Sequence, residues 1–191
     1  MMQETHEGLE EYALVLDYMP TGKSFSPKPE PVAQLLGEGK FTLLEVVPKT
    51  TDIRIKERVY IGKGDRDKVA LIKSRITYND LTQVARNELP IAIGEIIKGD
   101  EQRFVDVFNN ASPLNIRMHS LELLPGVGKK HLKAILDARE TKRFESFRDI
   151  AERVPLLQDP VKLLTDRVVE ELKGESRFYM LTRPYAREPR Y

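Results

Sequence analysis

The sequence contains no cysteine and no long apolar run, and these two absences exclude several classes of protein. Without cysteine there is no disulfide framework, thiolate zinc site, Cys-ligated iron–sulfur cluster or Cys nucleophile, and a reduced compartment is the simplest expectation. No apolar stretch approaches the roughly 20 residues that span a bilayer. The first eleven residues carry four glutamates and no lysine or arginine, unlike a secretory signal. We therefore expect a soluble cytoplasmic protein with no membrane partner.

Net charge is also nearly absent, because 31 Lys+Arg residues face 30 Asp+Glu residues over 191 positions. The average hides an uneven distribution: the net charge is −3 over residues 1–61, +1 over 62–120 and +3 over 121–191. Residues 176–191 are basic and aromatic, with Arg177, Phe178, Tyr179, Arg183, Tyr185, Arg187, Arg190 and Tyr191. Such a tail binds nucleic acid by charge and stacking, or serves as a disordered or partner-docking terminus, and both interpretations stay open.

The first half of the chain is rich in short β-branched and aromatic runs. These runs predict strands at residues 12–17, 41–47, 59–61 and 69–76, and alternation of Ile53 and Ile55 with charged residues adds a fifth at 52–57. The proline-rich stretch 20–40 predicts a long loop that ends in a short helical turn at 32–36. Five short strands with a long first loop are typical of a small Greek-key barrel of the oligonucleotide/oligosaccharide-binding (OB) class.

The second half changes to helical periodicity. Asn79 is the predicted N-cap of a first helix that stops at Lys98 and Gly99, and a second helix follows Asp100. Ser112 and Pro113 predict a further helix with Leu114, Met118 and Leu121 on one face. Later helices are predicted from residue 129, from Ser146, which forms a near capping box with Asp149, and from Asp159-Pro160 to Lys173-Gly174.

One short segment between two predicted helices carries the chemistry. Gly126 and Gly128 permit positive φ and a close approach of ligand to the backbone, and the amides at the start of the following helix are free donors. Cations in a first helical turn are unfavourable by about 0.3–1 kcal/mol each, and a bound polyanion removes that conflict. The predicted phosphate site is Gly126, Val127, Gly128, Lys129, Lys130 and Lys133.

Residues 121–136 resemble the helix-hairpin-helix motif, whose turn amides bind phosphates of duplex DNA or structured RNA. The pattern recurs weakly 30 residues later at Val154-Pro155, with Leu156 and Gln158 in place of the two glycines. The segment order, together with residues 41–46, 58–63 and 104–109, is similar to an uncharacterised archaeal family of predicted RNA-binding proteins. That resemblance implies an OB-like barrel joined to helix-hairpin-helix elements, and a translation or ribosome context.

The expected fold class is α+β, with an N-terminal small OB-like β-barrel followed by a C-terminal all-α helix-hairpin-helix domain. The expected parts are an acidic arm (1–11), the barrel (12–78), connecting helices (79–111), a tandem helix-hairpin-helix with a degenerate second hairpin (112–174) and the basic aromatic tail (175–191).

Two nucleotide motifs fail by position. A Walker A loop that ends at Gly128-Lys129 requires glycine at 123 and serine or threonine at 130, where the chain has Leu123 and Lys130. A dinucleotide fingerprint from Gly126 requires glycine or alanine at 131, which is His131, and must follow a strand. The three histidines have no metal-ligand spacing, so we expect neither metal nor cofactor.

Three functions are compatible with these residues. The favoured one is non-catalytic binding of nucleic acid, RNA more than DNA, with a ribosomal or other protein partner possible through the tail. The second is a DNA-repair enzyme, because helix-hairpin-helix glycosylases carry a catalytic lysine near the place of Lys130 and a carboxylate near that of Asp149. The third is a protein–protein interaction module.

Overall fold

A computed structural model gives the fold of residues 10–23 and 29–185. Five strands form one antiparallel sheet and five α-helices follow them, which confirms the α+β class. The strands, in the spatial order β4-β1-β2-β3-β5, are β1 (Tyr12–Met19), β2 (Val32–Gly37), β3 (Leu43–Pro48), β4 (Arg58–Tyr60) and β5 (Val69–Arg75). Within the described residues β4 and β5 do not pair, so the sheet is a curled half-barrel that is open on one side.

Strand β2 replaces the short helical turn predicted at 32–36, which is therefore wrong. All six of its residues are buried. Ala33 and Leu35 belong to one apolar cluster and Leu36 to a second. A strand covered on both faces has no alternation of apolar and polar residues, so periodicity cannot reveal it. The strand predicted at 52–57 is also wrong, because this segment is a loop in which Lys56 has φ 70°.

The apolar core has two parts, one on each face of the sheet. The smaller cluster fills the inside of the half-barrel. The larger cluster joins Leu14, Leu36 and Phe41 of the sheet region to the helices, including Ile93 and Leu164. The larger cluster therefore joins the strands to the helices, and it spans the boundary predicted between residues 78 and 79. No helix in this part of the chain has the length and apolar character needed to cross a membrane.

The first, fourth and fifth α-helices begin where a side chain accepts one of their free backbone N–H groups. The first starts at Gln83 and not at the predicted Asn79, because the Thr82 hydroxyl accepts the Ala85 N–H at 3.0 Å, while Asn79 lies in a 3-10 turn (Tyr78–Asp80). Ser146 caps the fourth helix as predicted. The bounds are α1 (Gln83–Gly99), α2 (Glu101–Asn110), α3 (Lys129–Thr141), α4 (Phe147–Arg153) and α5 (Pro160–Leu172).

The helix predicted from Ser112-Pro113 is wrong, because a β-hairpin stands in its place. Strands β6 (Pro113–Asn115) and β7 (Met118–His119) pair across a turn in which the Asn115 carboxamide oxygen accepts the Arg117 N–H at 2.8 Å. A 3-10 helix (Ser120–Leu123) then leads to the glycine turn. Of the three residues predicted to share an inner face, Leu121 is buried, whereas Leu114 and Met118 are exposed.

Candidate nucleic-acid interface

The turn at residues 124–128 connects the 3-10 helix to α3. Leu124 and Val127 are buried and anchor the turn to the core, and the Val127 N–H donates to the Leu124 carbonyl at 3.0 Å. Gly126 has φ +84°, the left-handed region that favours glycine. Val127, a predicted site residue, is thus a buried anchor whose amide is used inside the turn. The glycines remain on the surface.

The start of α3 offers free backbone donors. Gly128 is the N-cap residue and has no side chain to fill that role, and the first helical bond runs from the Leu132 N–H to the Gly128 carbonyl at 2.9 Å. Within the described chain, the N–H groups of Lys129, Lys130 and His131 have no acceptor, and the first turn holds no acidic residue. A Cβ placed on Gly128 meets nothing within 4 Å. The helix start is open to an external anion.

The three predicted lysines have different surroundings. Lys129 Nζ lies 2.7 Å from a Glu122 carboxylate oxygen and donates to the Arg117 carbonyl at 3.1 Å. Lys133 Nζ pairs with Asp137 at 2.5 Å along its own helix. Lys130 is exposed and has no ion pair or hydrogen bond among the described residues. The structure therefore brings all three lysines to the first two turns of α3, and of the three only Lys130 has no partner among the described residues.

Glu122 is the ion-pair partner of Lys129. Its carboxylate accepts the His119 N–H at 2.8 Å, and this hydrogen bond, followed by the ion pair with Lys129, holds the pKa of Glu122 below its ordinary value. A carboxylate that stays ionised partly neutralises Lys129. Sequence reasoning missed this pair, because it depends on the 3-10 helix that brings residue 122 next to residue 129.

The β6–β7 hairpin is a second feature that sequence reasoning missed. Its tip is attached to the start of α3 by the bond from Lys129 Nζ to the Arg117 carbonyl. Leu114 and Met118 are exposed, and Ile116 at the tip is entirely so. Asparagine favours turns because its side-chain oxygen can accept the backbone N–H two residues later, as Asn115 does here. Asn115 is therefore the sequence signal that could have indicated the hairpin.

The second turn, residues 154–159, has the same outline with a different helix start. Leu156 has φ 64°, although it is not glycine. Asp159 is the N-cap of α5, its carboxylate accepts the Val161 N–H at 3.3 Å, and Pro160 contributes no N–H. Gln158 reaches back toward the first turn, where a Cβ on Gly126 would lie 3.8 Å from its Nε2. At the second helix start, the protein's own side chains therefore leave two of the first three positions without a free N–H.

Asp149, the carboxylate of the repair-enzyme hypothesis, is bonded to residues near its own helix. It accepts the Glu145 N–H at 3.0 Å and pairs with Arg153 Nη1 at 3.0 Å. Burial opposes its ionisation, but the two donors outweigh burial and lower the pKa of Asp149 below its ordinary value. His131 contacts the Gly126 carbonyl through Nδ1 at 3.1 Å, and His119 accepts the Leu121 N–H through Nδ1 at 3.2 Å. These groups hold turns and helix starts in place.

The described part of the basic tail folds back on the protein. Buried Glu171 accepts the amides of residues 180, 181 and 182 and pairs with Arg167 Nε at 2.8 Å. The carbonyl of Arg183 then accepts from Arg75 Nη2 at 2.6 Å. Residues 178–183 are thus fixed to α5 and β5. Arg187, Arg190 and Tyr191 of the predicted tail lie outside the described residues.

Comparison with known proteins gives a family and two close relatives. The model of a family described as "Protein of unknown function (DUF655)" matches residues 9–183. The chain belongs to this family. The DUF655 chain is 44% identical over 169 residues to "Uncharacterized protein MJ0038" of Methanocaldococcus jannaschii, and the match covers 88% of this chain and 76% of that protein.

The DUF655 fold is also seen in a crystal structure, that of Af1531 from Archaeoglobus fulgidus. The two chains share 48% sequence identity and superpose with a TM-score of 0.85, over 91% of this chain and all of Af1531. Both relatives come from archaea.

Proposed function

We propose that this DUF655 protein is a non-catalytic nucleic-acid-binding protein that holds the phosphate backbone of structured RNA at residues 126–133. These residues form the end of the first turn and the start of α3, and we call them the phosphate turn. The observation that carries the proposal is the open start of α3, where three backbone amides have no acceptor in the described chain and no residue of the first turn is acidic. A helix start of this kind favours an anion by hydrogen bonding and by the helix dipole together.

The charges around the turn support the same ligand. Lys129 and Lys130 occupy the first turn of α3, where the helix dipole disfavours cations by about 0.3–1 kcal/mol each. Glu122 compensates Lys129, whereas Lys130 has no such compensation within the described residues. A phosphate group bound to the amides would offset this repulsion and gain a contact from Lys130. We therefore assign Lys130 as the main side-chain contact and the amides as the main backbone contact.

The architecture is part of the proposal. The curled half-barrel is the element we assign as the OB-like barrel. We assign the two turns as a helix-hairpin-helix pair in which the 3-10 helix Ser120–Leu123 takes the place of the first helix. The preference for RNA, the translation context and the cytoplasmic location rest on the resemblance and composition set out above. Phosphate contacts position a nucleic acid without reading its sequence, so we expect recognition of shape.

The test is a salt titration of RNA binding, read by fluorescence anisotropy on a labelled RNA hairpin. Lys130→Glu is expected to weaken binding and to lower the slope of log affinity against log salt by about 1, because one phosphate contact is lost. Lys162→Glu is the matched control, since Lys162 is also an exposed lysine near the start of a helix but pairs with Asp166 at 2.5 Å and lies at the turn that fills itself.

An unchanged affinity and slope for Lys130→Glu would contradict the proposal, as would an equal loss for Lys162→Glu. A DNA duplex of the same sequence decides between RNA and DNA. The interaction module would be favoured if the chain bound no RNA and captured a protein partner equally well after nuclease treatment. The absence of tryptophan makes the ratio of absorbance at 260 and 280 nm a sensitive first measure of nucleic acid carried through purification.

A further inference from the structure

A cavity of about 310 Å³ opens at the gap in the half-barrel. Its wall comes from both unpaired edges of the sheet: Ile61 and Gly62 follow β4, whereas Ile72 and Arg75 belong to β5. The volume lies near the lower end of the roughly 300–1,000 Å³ that is typical of small-molecule pockets. The cavity therefore has room for one small organic molecule and not for a length of polymer.

The cavity is strongly cationic. Lys63, Arg66, Arg75 and Arg183 line it, against Glu10 as the one acidic lining residue among those described. The Glu10 carboxylate is already used, because it accepts the amides of residues 39, 40 and 42 at 2.6–3.1 Å. Arginine side chains beside a carboxylate that is already engaged favour an anionic ligand, and a phosphate group can accept hydrogen bonds from two guanidinium groups at once.

Two of these cations, Arg66 and Arg75, have donors available to a ligand. Arg66 Nε donates to the Gly62 carbonyl at 2.7 Å, and Arg75 Nη2 donates to the Arg183 carbonyl at 2.6 Å. Neither guanidinium has a carboxylate partner among the described residues, and each has further N–H groups to donate. Burial lowers the pKa of Arg75 below its ordinary value, which shows that this cation is partly removed from water. Removal from water strengthens its attraction for an anion.

The remaining wall of the cavity is apolar. Leu44 of β3, Ile61 and Ile72 contribute it. An apolar wall next to guanidinium groups matches a flat ring joined to a phosphate. We propose that this cavity binds a nucleoside monophosphate, either free or as the phosphorylated terminal nucleotide of a strand, with the phosphate on Arg66 and Arg75 and the ring against Ile61 and Ile72. A phosphate monoester carries about −1.5 to −2 charges at neutral pH, and its oxygens can accept from both guanidinium groups.

This site is separate from the phosphate turn, because it shares no residue with positions 126–133. Calorimetric titration of the full chain with each of the four ribonucleoside monophosphates tests it, with adenosine and inorganic phosphate as partial ligands. We expect at least one monophosphate to bind about tenfold or more tightly than either partial ligand, because only the whole molecule uses both walls. A trinucleotide with and without a terminal phosphate tests whether the ligand is free nucleotide or the end of a strand. Tighter binding of the phosphorylated trinucleotide would indicate the end of a strand.

Variants locate the binding. Arg66→Gln removes a charged donor, and Ile72→Glu puts a negative charge on the apolar wall; each is expected to weaken binding about tenfold or more. Arg148→Gln, which alters an exposed arginine of α4, is the matched control and should leave the affinity unchanged. Thermal unfolding measures whether each variant is folded. The two pocket variants change different contacts, one with the phosphate and one with the ring, so either variant can test the site if the other does not fold.

Several results would overturn the proposal. These are no binding of any monophosphate to the folded chain, equally tight binding of inorganic phosphate, or undiminished binding by both pocket variants. Lys130→Glu should not change nucleotide affinity, so failure at the cavity and failure at the phosphate turn are told apart.

Discussion

The two turns that precede α3 and α5 have nearly the same backbone and opposite surroundings. In each, a buried residue, Leu124 or Val154, is followed by proline and then by a residue with positive φ, Gly126 or Leu156. The amide after that residue bonds back to the buried one, at 3.0 Å in the first turn and 3.4 Å in the second. The weak repeat in the sequence is therefore a repeat of backbone shape.

The difference lies at the helix start. The first turn ends in Gly128, which leaves the amides of α3 open, and the second ends in Asp159 and Pro160, which fill or remove two of the three equivalent donors of α5. The first helix start has free amides and no side-chain acceptor, whereas the second contains its own anion, Asp159. A shared turn shape is thus not enough for phosphate binding, because the residue at the N-cap decides whether the site is open.

The largest expected effect comes from breaking the backbone shape of the first turn. Gly126→Val should lower the free energy of unfolding by about 2 kcal/mol, because a β-branched residue at φ +84° is strained. The cost is in the backbone, since a Cβ there makes only an ordinary 3.8 Å contact with Gln158. Urea unfolding measures it. Gly99→Val is the control, because Gly99 has open space and no positive φ; an equal loss there would contradict this account.

The next effect comes from converting the first helix start into a copy of the second. Gly128→Asp fits without strain, because Gly128 has an extended backbone and nothing within 4 Å of a Cβ. The new carboxylate should accept the free amides and raise stability by a few tenths to about 1 kcal/mol. It should also repel phosphate, so RNA affinity should fall about tenfold, which equals about 1.4 kcal/mol.

Anisotropy and urea unfolding on the same preparation check both parts of the Gly128→Asp prediction. Gly128→Ser supplies an uncharged side-chain oxygen that can accept the free amides, so it shows their effect without the repulsion between carboxylate and phosphate. We expect its RNA affinity to lie between that of the natural chain and that of Gly128→Asp. A more stable variant that binds RNA as tightly as the natural chain would show that the amides do not contact the ligand.

The smallest effect comes from giving the second turn the glycine of the first. Leu156→Gly should raise the free energy of unfolding by about 0.5–1 kcal/mol, because the left-handed conformation costs a non-glycine residue about 1–2 kcal/mol and the added chain entropy returns part of that. Little packing is lost, since Leu156 is 83% exposed. Leu71→Gly, at an exposed position of β5, should destabilise instead. RNA affinity should stay the same, because Asp159 still fills the helix start.

The parts of the fold that depend on local chemistry were predictable from the sequence. Ser146 begins α4, Asp159 and Pro160 begin α5, and Gly126 adopts the positive φ that its turn requires. Each of these depends on a few neighbouring residues, so the sequence pattern contains the whole cause. The free amides at the start of α3 follow from Gly128 in the same way.

The parts that depend on distant neighbours were not predictable. Strand β2 is buried on both faces by elements from elsewhere in the chain, which removes its alternation. The segment after Ser112 has helical spacing of apolar residues but no partner that covers Leu114 and Met118, and it forms a hairpin. The pair of Glu122 with Lys129 and the cationic cavity likewise need the folded chain, because their residues come together only in three dimensions.

The bond between Arg75 and the carbonyl of Arg183 joins residues 108 positions apart, and Glu10 lines the same cavity. During synthesis, the strands leave the ribosome long before the segment that carries Arg183. A chain that folds as it is synthesised can therefore complete this cavity wall only after residue 183 has left the ribosome. Contacts of such long sequence separation also slow folding. A chain interrupted before residue 183 would carry the strands and the phosphate turn but an unfinished cavity.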